Sequence, residues 1–245
     1  MVTSILKSEA HERARVSVVI PTYNRKEFLE QAVETVQLQT YEPLECVVVD
    51  DGSTDGTREY LDALDDDSLR PVYHDENRGQ SAARNSGIEA AEGEYVMFLD
   101  SDDILYPRAA ETLVSAMETR SEDCVGVFTS EKQVKNNGRV RKRTVPSGLM
   151  TEPTLKNVRQ IGSPTCTMFL RRAIEDVDGF DESLPMRVDL DLYLKLLKRY
   201  SLFGVDEVCC ERRLHESQIS NDDEKVGEGY RMIAEKHQID DPQLD

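Results

Sequence analysis

The chain has 245 residues, with 30 Lys plus Arg against 48 Asp plus Glu and a formal net charge of −18. That length suits one generous α/β domain with a sizeable core, and that charge excludes duplex nucleic acid as a partner, because phosphate neutralisation needs the opposite balance. The longest apolar runs, Val16–Ile20, Cys46–Val49 and Tyr95–Leu99, are of strand length and far short of the ~20 residues of a bilayer-spanning helix, and the mixed charges of the first fifteen residues do not read as a secretory signal, so a cytoplasmic protein is expected.

Val16–Ile20 is a β-branched run closed by Pro21. Lys26–Leu38 then sets Phe28, Leu29, Ala32, Val33 and Val36 at helical spacing, which makes one β-α unit. Cys46–Asp50 is a second strand, and the turn Asp51-Gly52-Ser53-Thr54-Asp55 supplies N-caps for a helix expected to run through Leu64. Pro71–His74 reads as a third strand, Ser81–Ala91 as a third helix and Tyr95–Leu99 as a fourth strand entering Asp100. Such alternation argues for a mostly parallel sheet covered by helices, with ligands beyond the carboxyl ends of its strands. Those ends carry Thr22-Tyr23-Asn24, Asp50-Asp51-Gly52-Ser53 and Asp100-Ser101-Asp102-Asp103.

The second half is less regular. A strand over Val125–Lys132 is followed by the hairpin signal Asn136-Asn137-Gly138 and the basic stretch Arg139–Arg143. That stretch reads first as a solvated hairpin and second as a contact for anionic lipid headgroups or a lipid-linked phosphate. Thr165–Leu170 is expected as a strand with a short helix after it, Val188–Tyr200 as a buried leucine-rich helix, 203–214 as a strand, and about 226–236 as a helix in an acidic tail. Five scattered cysteines fit reduced core thiols better than a disulfide framework. Twenty Arg to ten Lys in an acid-rich chain resembles proteins of high-salt cytoplasm.

Asp100, Asp102 and Asp103 follow an apolar strand, with Asp51 expected close by. Carboxylates brought together there repel by several kcal/mol if dry and unpaired, a repulsion on the order of that between surface charges ~4 Å apart. A hard divalent cation, Mg²⁺ or Mn²⁺, relieves that repulsion and keeps positions open for water and substrate phosphate.

VSVVIPTYNR, VVVDDGSTDGT, ENRGQSAARNSGIEAAEGEYVMFLDSDD, and GFDESLP followed by VDLDLYLKL, in this order, resemble the family 2 glycosyltransferases of the GT-A fold. The resemblance covers roughly 16–220 and implies an N-terminal extension at 1–15, a single domain at 16–220 and a tail at 221–245. Within the domain it implies a nucleotide-binding half at 16–103 and an acceptor-side half at 104–220. It implies inverting transfer from a nucleotide-sugar, UDP favoured, to a glycan or lipid-linked glycan acceptor, with peripheral membrane association as an accompanying option. The implied nucleotide-binding residues are Pro21, Thr22, Tyr23, Asp51, Asn77, Gly79, Arg84, Asp100 and Ser101, with Tyr23 stacking on the base and Asp51 hydrogen-bonding it. Asp102 is the implied direct metal ligand, supported by Asp100 and by His215 of the late Arg-X-His loop. Asp189 is the implied catalytic base; the acidic residue that often precedes it is Val188 here, and Asp191 reads as structural.

Two other classes remain in view. A nucleotidyltransferase would need a Gly- and Arg-rich phosphate loop where Pro21-Thr22-Tyr23-Asn24 stands, and a non-catalytic nucleotide-sugar binder is made less attractive by the presence of Asp100, Asp102 and Asp189 together. A processive synthase is disfavoured because the chain has no Trp for that group's Gln-X-X-Arg-Trp motif.

Overall fold

The computed structural model describes residues 14–215, 218 and 222–239. Most of the expected extension at 1–15 and the end of the tail therefore lie outside the described residues. The elements run β1 (Val16–Thr22), α1 (Lys26–Gln37), β2 (Leu44–Asp50), α2 (Thr57–Asp62), β3 (Leu69–Tyr73), α3 (Gln80–Ala90), β4 (Tyr95–Phe98), β5 (Ile104–Leu105), α4 (Ala109–Glu118) and β6 (Cys124–Lys135). They continue with β7 (Val140–Arg143), β8 (Gly148–Met150), α5 (Leu155–Ile161), a 3-10 turn at Pro164–Cys166, β9 (Thr167–Leu170), α6 (Arg171–Glu175), α7 (Val188–Leu197), β10 (Ser201–Leu214) and α8 (Asp223–His237).

One sheet, ordered β3-β2-β1-β4-β9-β6-β10-β5, organises the chain, with β7 added to β6 and β8 to β10. The expected α/β architecture is present: β3, β2, β1 and β4 are parallel. β9 enters antiparallel between β4 and β6, and β10 is again parallel to β6. β1 is buried along its whole length, as a strand covered on both faces must be. Its neighbour α1 buries Leu29, Ala32, Val33 and Val36, the stripe read from the sequence. Among the described residues no helix is long and apolar enough to cross a membrane.

Four local expectations need correction. The helix after β2 starts at Thr57 behind a left-handed Gly56 and stops at Asp62 rather than Leu64. Asp55 still serves its first turn, accepting from Thr57 N at 3.2 Å and Thr57 Oγ1 at 2.6 Å, while its other oxygen accepts from Lys26 N at 2.9 Å and so holds the start of α1. The strand expected from Thr165 begins at Thr167, because Pro164 has no amide for a ladder and Ser163 caps a 3-10 turn instead. The leucine-rich helix α7 ends at Leu197, three residues short of the expected Tyr200. Cys166 and Cys210, expected as separate thiols, are bonded to each other, their Cα atoms being 6.1 Å apart across the 3-10 turn and β10. Cys46, Cys124 and Cys209 are free and buried.

Candidate active site

The parallel strands β1, β2, β3 and β4 all end on one side of the sheet, and their following loops are tied to one another. Asn24, at φ 51°, donates its amide to Ser53 Oγ at 2.9 Å and accepts from Thr54 N at 2.7 Å. The β1 and β2 loops thus hold Tyr23 at the rim, where it is 45% exposed. Gly52, at φ 79°, lies against the loop after β3, and a Cβ there would meet Glu76 C at 2.7 Å. Only glycine permits that approach.

Asp51 is not part of the acidic cluster in which the sequence reading placed it. Its Oδ1 accepts from Arg78 N at 2.9 Å and pairs with His74 Nδ1 at 2.7 Å, and its Oδ2 accepts from Gly79 N at 2.8 Å. His74 Nε2 meets Ser86 Oγ at 2.9 Å, so a neutral ring that donates from Nδ1 and accepts at Nε2 satisfies both contacts. Asp51 therefore fixes the Asn77–Gly79 loop as well as facing the cavity, and His74, for which the sequence suggested no role, holds Asp51.

The loop after β4 brings Asp100, Asp102 and Asp103 together, with carboxylate oxygens all within 4.8 Å of one another. Each has a distinct counterpart. Arg84 reaches from α3, fully buried with Phe180 beneath it, and its Nη2 lies 2.6 Å from Asp100 Oδ1. Asp102 Oδ2 is shared by Arg25 and by His215 Nε2, the latter at 2.9 Å, and the His215 ring stacks on Phe28. Asp103 is spent on structure: Oδ2 accepts from Thr165 Oγ1 at 2.7 Å and Oδ1 from Arg213 N at 3.0 Å. Burial, then the charges of Asp100 and Asp102, push the Asp103 carboxyl well above the usual carboxylate range.

Facing this loop, Arg187 at φ 62° turns the chain into α7, whose first turn carries Asp189. Burial raises the Asp189 pKa, while Arg84 and Arg187 restrain the rise. Asp191, two residues on, is fully buried away from this face and is bound by His237 at 2.7 Å and Lys236 at 2.9 Å from α8, and by Lys195 at 3.4 Å. Its structural reading matches that geometry.

A single cavity of about 780 Å³ lies between these loops and α7. Every residue named for the nucleotide lines it, as do Asp102 and Asp189; His215 stands outside the lining, against Asp102. Of the cavity's basic residues the sequence reading singled out Arg84 and missed Arg25, Arg143, Arg159 and Arg187 as site residues. Arg25 belongs to the PTYNR motif and Arg143 to the basic stretch, so both carried a signal, whereas Arg159, Arg187 and Tyr230 carried none.

A family model described as glycosyl transferase family 2 matches residues 17–178. The glycosyltransferase TuaG of Bacillus subtilis (strain 168), named for teichuronic acid biosynthesis, is 34% identical over 231 residues, covering 91% of this chain and 89% of that one. Among solved structures, S. aureus TarS 1-349 in complex with UDP-GlcNAc matches with a TM-score of 0.72 at 26% identity, over 91% of this chain and 66% of that one. The Pyrobaculum calidifontis mannosyltransferase PcManGT in complex with GDP-Man and Mn²⁺ matches with a TM-score of 0.70 at 22% identity, over 96% of this chain and 67% of that one, a likeness of fold alone. The chain spans only 35% and 33% of the length of relatives from Rickettsia felis and Rickettsia conorii.

Proposed function

The chain belongs to glycosyl transferase family 2 and is a glycosyltransferase of the GT-A fold, and from that premise we propose that it moves a sugar from a nucleotide donor to an acceptor hydroxyl with inversion. The observation that carries this reading is the one cavity shared by Asp100, Asp102 and Asp189, with Arg84 close to both ends of it. UDP is the favoured nucleotide, supported by the UDP-GlcNAc bound to TarS, and GDP is the second choice. Tyr23 offers an exposed ring for base stacking, and the Asp51-braced loop presents Asn77 and Gly79 beside it.

The donor set fits a divalent cation. Asp102 and Asp100 present oxygens to the cavity, His215 adjoins Asp102, and Arg25 occupies the carboxylate that a cation would neutralise. Mg²⁺ or Mn²⁺ bound there would offset the charge of the departing diphosphate. Asp103 is outside the ligand set, because Thr165 and Arg213 already engage both of its oxygens.

Asp189 acts as the base. An acceptor hydroxyl must lose its proton as its oxygen attacks the anomeric carbon, and a partly buried carboxylate with a raised pKa is a stronger base than one in water. The start of α7 favours its ionised form, which keeps the group active near neutral pH. One carboxylate on the acceptor face gives a single displacement. The acceptor is a glycan or lipid-linked glycan of cell-surface polysaccharide or protein N-glycan assembly at the cytoplasmic face of a membrane, a reading supported by the name of TuaG.

The test is a screen of sugar nucleotides with Mn²⁺ by thermal shift, followed by release of nucleoside diphosphate in the presence of glycan acceptors. Stabilisation by one nucleotide family, and release that Asp189→Asn slows by roughly 10²–10⁴-fold, is expected. A wild-type chain that no sugar nucleotide stabilises would refute the reading.

A further inference from the structure

The cavity is divided by charge. At the end proposed for the donor, the guanidinium groups are matched to acids: Arg84 to Asp100, and Arg25 to Asp102, which His215 also meets. At the other end two arginines from separate elements flank one ring, and a third is tied to the backbone of one of them. Arg143 at the end of β7 donates from Nη2 to the Arg159 carbonyl at 2.8 Å, the Arg159 guanidinium lies 4.6 Å from the centre of the Tyr230 ring, and that of Arg187 lies 5.1 Å from the same centre. All four residues line the cavity.

Neither Arg143 nor Arg187 has a carboxylate within ion-pair distance among the described residues. Arg143 Nη1 and Arg187 Nε are buried donors with no hydrogen-bond partner there. The fold makes room for this arrangement, since Gly162, at φ 98°, lies so close to Arg143 that a Cβ would come 2.1 Å from Nη1. In a chain of net charge −18, acids were abundant and could have been set opposite these groups. Buried, unmatched guanidinium N–H groups are unfavourable on their own and become favourable when an anion supplies the acceptors. Guanidinium forks suit the two or three oxygens of a carboxylate or phosphate, and the Tyr230 ring holds two of them beside one another through cation–π contact.

We propose that the acceptor is anionic, and that its phosphate or carboxylate group seats on Arg143 and Arg187 beside Tyr230 while its hydroxyl faces Asp189. This deepens the function proposed above and rests on its placement of the donor at the Asp100 and Asp102 end. Arg187 lies two residues before Asp189 and influences its carboxyl, so an anion held there stands next to the base. The anion would partly cancel the restraint that Arg187 places on the Asp189 pKa, leaving a more basic carboxylate in the acceptor complex than in the free protein.

The test uses the full chain and calorimetric titration with three probes, farnesyl phosphate, methyl glucuronoside and methyl glucoside, each with and without saturating UDP and Mn²⁺. The anionic source is identified by which of the first two binds; the neutral glucoside should bind at least tenfold more weakly than that probe. Arg143→Gln and Arg187→Gln should each weaken the anionic probe roughly tenfold or more, the scale of a lost charged hydrogen bond, with UDP affinity unchanged and a cooperative thermal transition retained. The control pair Arg139→Ala and Lys142→Ala, exposed side chains of the same hairpin, should leave probe binding as in wild type.

Equal binding of neutral and anionic probes, or wild-type anion affinity in both Gln variants, overturns the proposal. So does a loss of UDP affinity in those variants, which would assign the arginines to the donor diphosphate. A wild-type chain that binds neither UDP nor GDP refutes the donor reading instead, and the titrations without nucleotide still decide the anion site.

Discussion

Replacing Asp191 by alanine removes a carboxylate that is 0% exposed, that is held within α7 by Lys195 and that joins α7 to α8 through Lys236 and His237. Breaking a buried pair by deleting one partner generally costs about 3–5 kcal/mol, because the opposite charge is left dry. Here part of that loss is cushioned: Lys236 keeps Asp181 at 2.6 Å, and Lys195 keeps its hydrogen bond to the Gly179 carbonyl. His237 bears the loss most directly, with Nε2 on Asp191 and a buried Nδ1 that has no partner among the described residues. The lower end, about 3 kcal/mol, is expected, which for a domain of this size lowers the melting temperature by roughly 6–12 °C. Burial pushes the Asp191 carboxyl up, but the hydrogen bonds from His237 and Lys236 and the charge of Lys195 outweigh it, so its folded pKa lies below the ordinary value. Its contribution is therefore fully present above the unfolded carboxylate pKa of about 3.9 and is lost only as pH falls through the lower folded value. Differential scanning calorimetry of wild type and Asp191→Ala at pH 7 measures the effect, and transfer is assayed well below both transitions. A shift under about 2 °C would refute the energetic reasoning. Transfer abolished in the folded Asp191→Ala protein but intact in Asp189→Asn would show the base to be misassigned by two residues.

Asp102→Ala should abolish transfer and metal-dependent nucleotide binding. It should not raise the melting temperature of the metal-free protein, because the Arg25 guanidinium already pairs with Asp102 rather than leaving it to repel its neighbours; full activity after exhaustive chelation would remove the metal role. Tyr23→Ala and Asp51→Ala should each weaken donor binding by on the order of 1–3 kcal/mol in titration calorimetry. Only Asp51→Ala should also lower stability, since it releases the amides of Arg78 and Gly79, and equal melting temperatures would contradict that distinction. The raised pKa of Asp189, caused by burial, predicts an acid limb of the transfer rate above the ordinary carboxylate range, which Asp189→Asn should eliminate from the residual rate. The same shift means that folding loses stability as pH rises from the unfolded toward the folded pKa of this group, the opposite sign to Asp191. An acid limb at the pKa of a free carboxylate would argue against Asp189 as the base.

The first hundred residues were legible because each element there is decided locally. Apolar runs of strand length alternate with a helical stripe such as Leu29, Ala32, Val33 and Val36, and turn chemistry at Asp51-Gly52-Ser53 separates them. The acidic loop and Asp189 carried motif signals, and the fold brings both to one cavity. α4 is absent from the sequence reading although Ala109, Ala110, Leu113, Val114 and Met117 carry a helical period. β5, with two residues, and β8, with three, could not be read, since strands so short exist only through pairing with β10. The counterparts of the aspartates were also out of reach: no local pattern says that Asp51 will meet His74 or that Asp191 will meet His237. Arg187 and Tyr230 come together by tertiary packing alone, so the basic end of the cavity became visible only in the folded chain.

The insertion of β9 beside β4 has a consequence for how the molecule assembles. β1, β2 and β3 pair with near neighbours in sequence, Val16 with Leu44 and Cys46 with Leu69, whereas β1 must wait for β4 and β6 for β10, with Val16 meeting Tyr95 and Gly126 meeting Leu202. The two parts of the sheet join through three residue pairs, Tyr95 with Leu170, Val96 with Phe169 and Met97 with Met168. Loop closure favours the nearer pairings first, so the amides of β1 and β2 should gain protection before those of β10 in pulsed hydrogen exchange during refolding, and simultaneous protection would refute that order. Since the cavity takes Asp102 from one side of this seam and Asp189 from the other, neither part alone contains the proposed centre, which is complete only once the two parts dock.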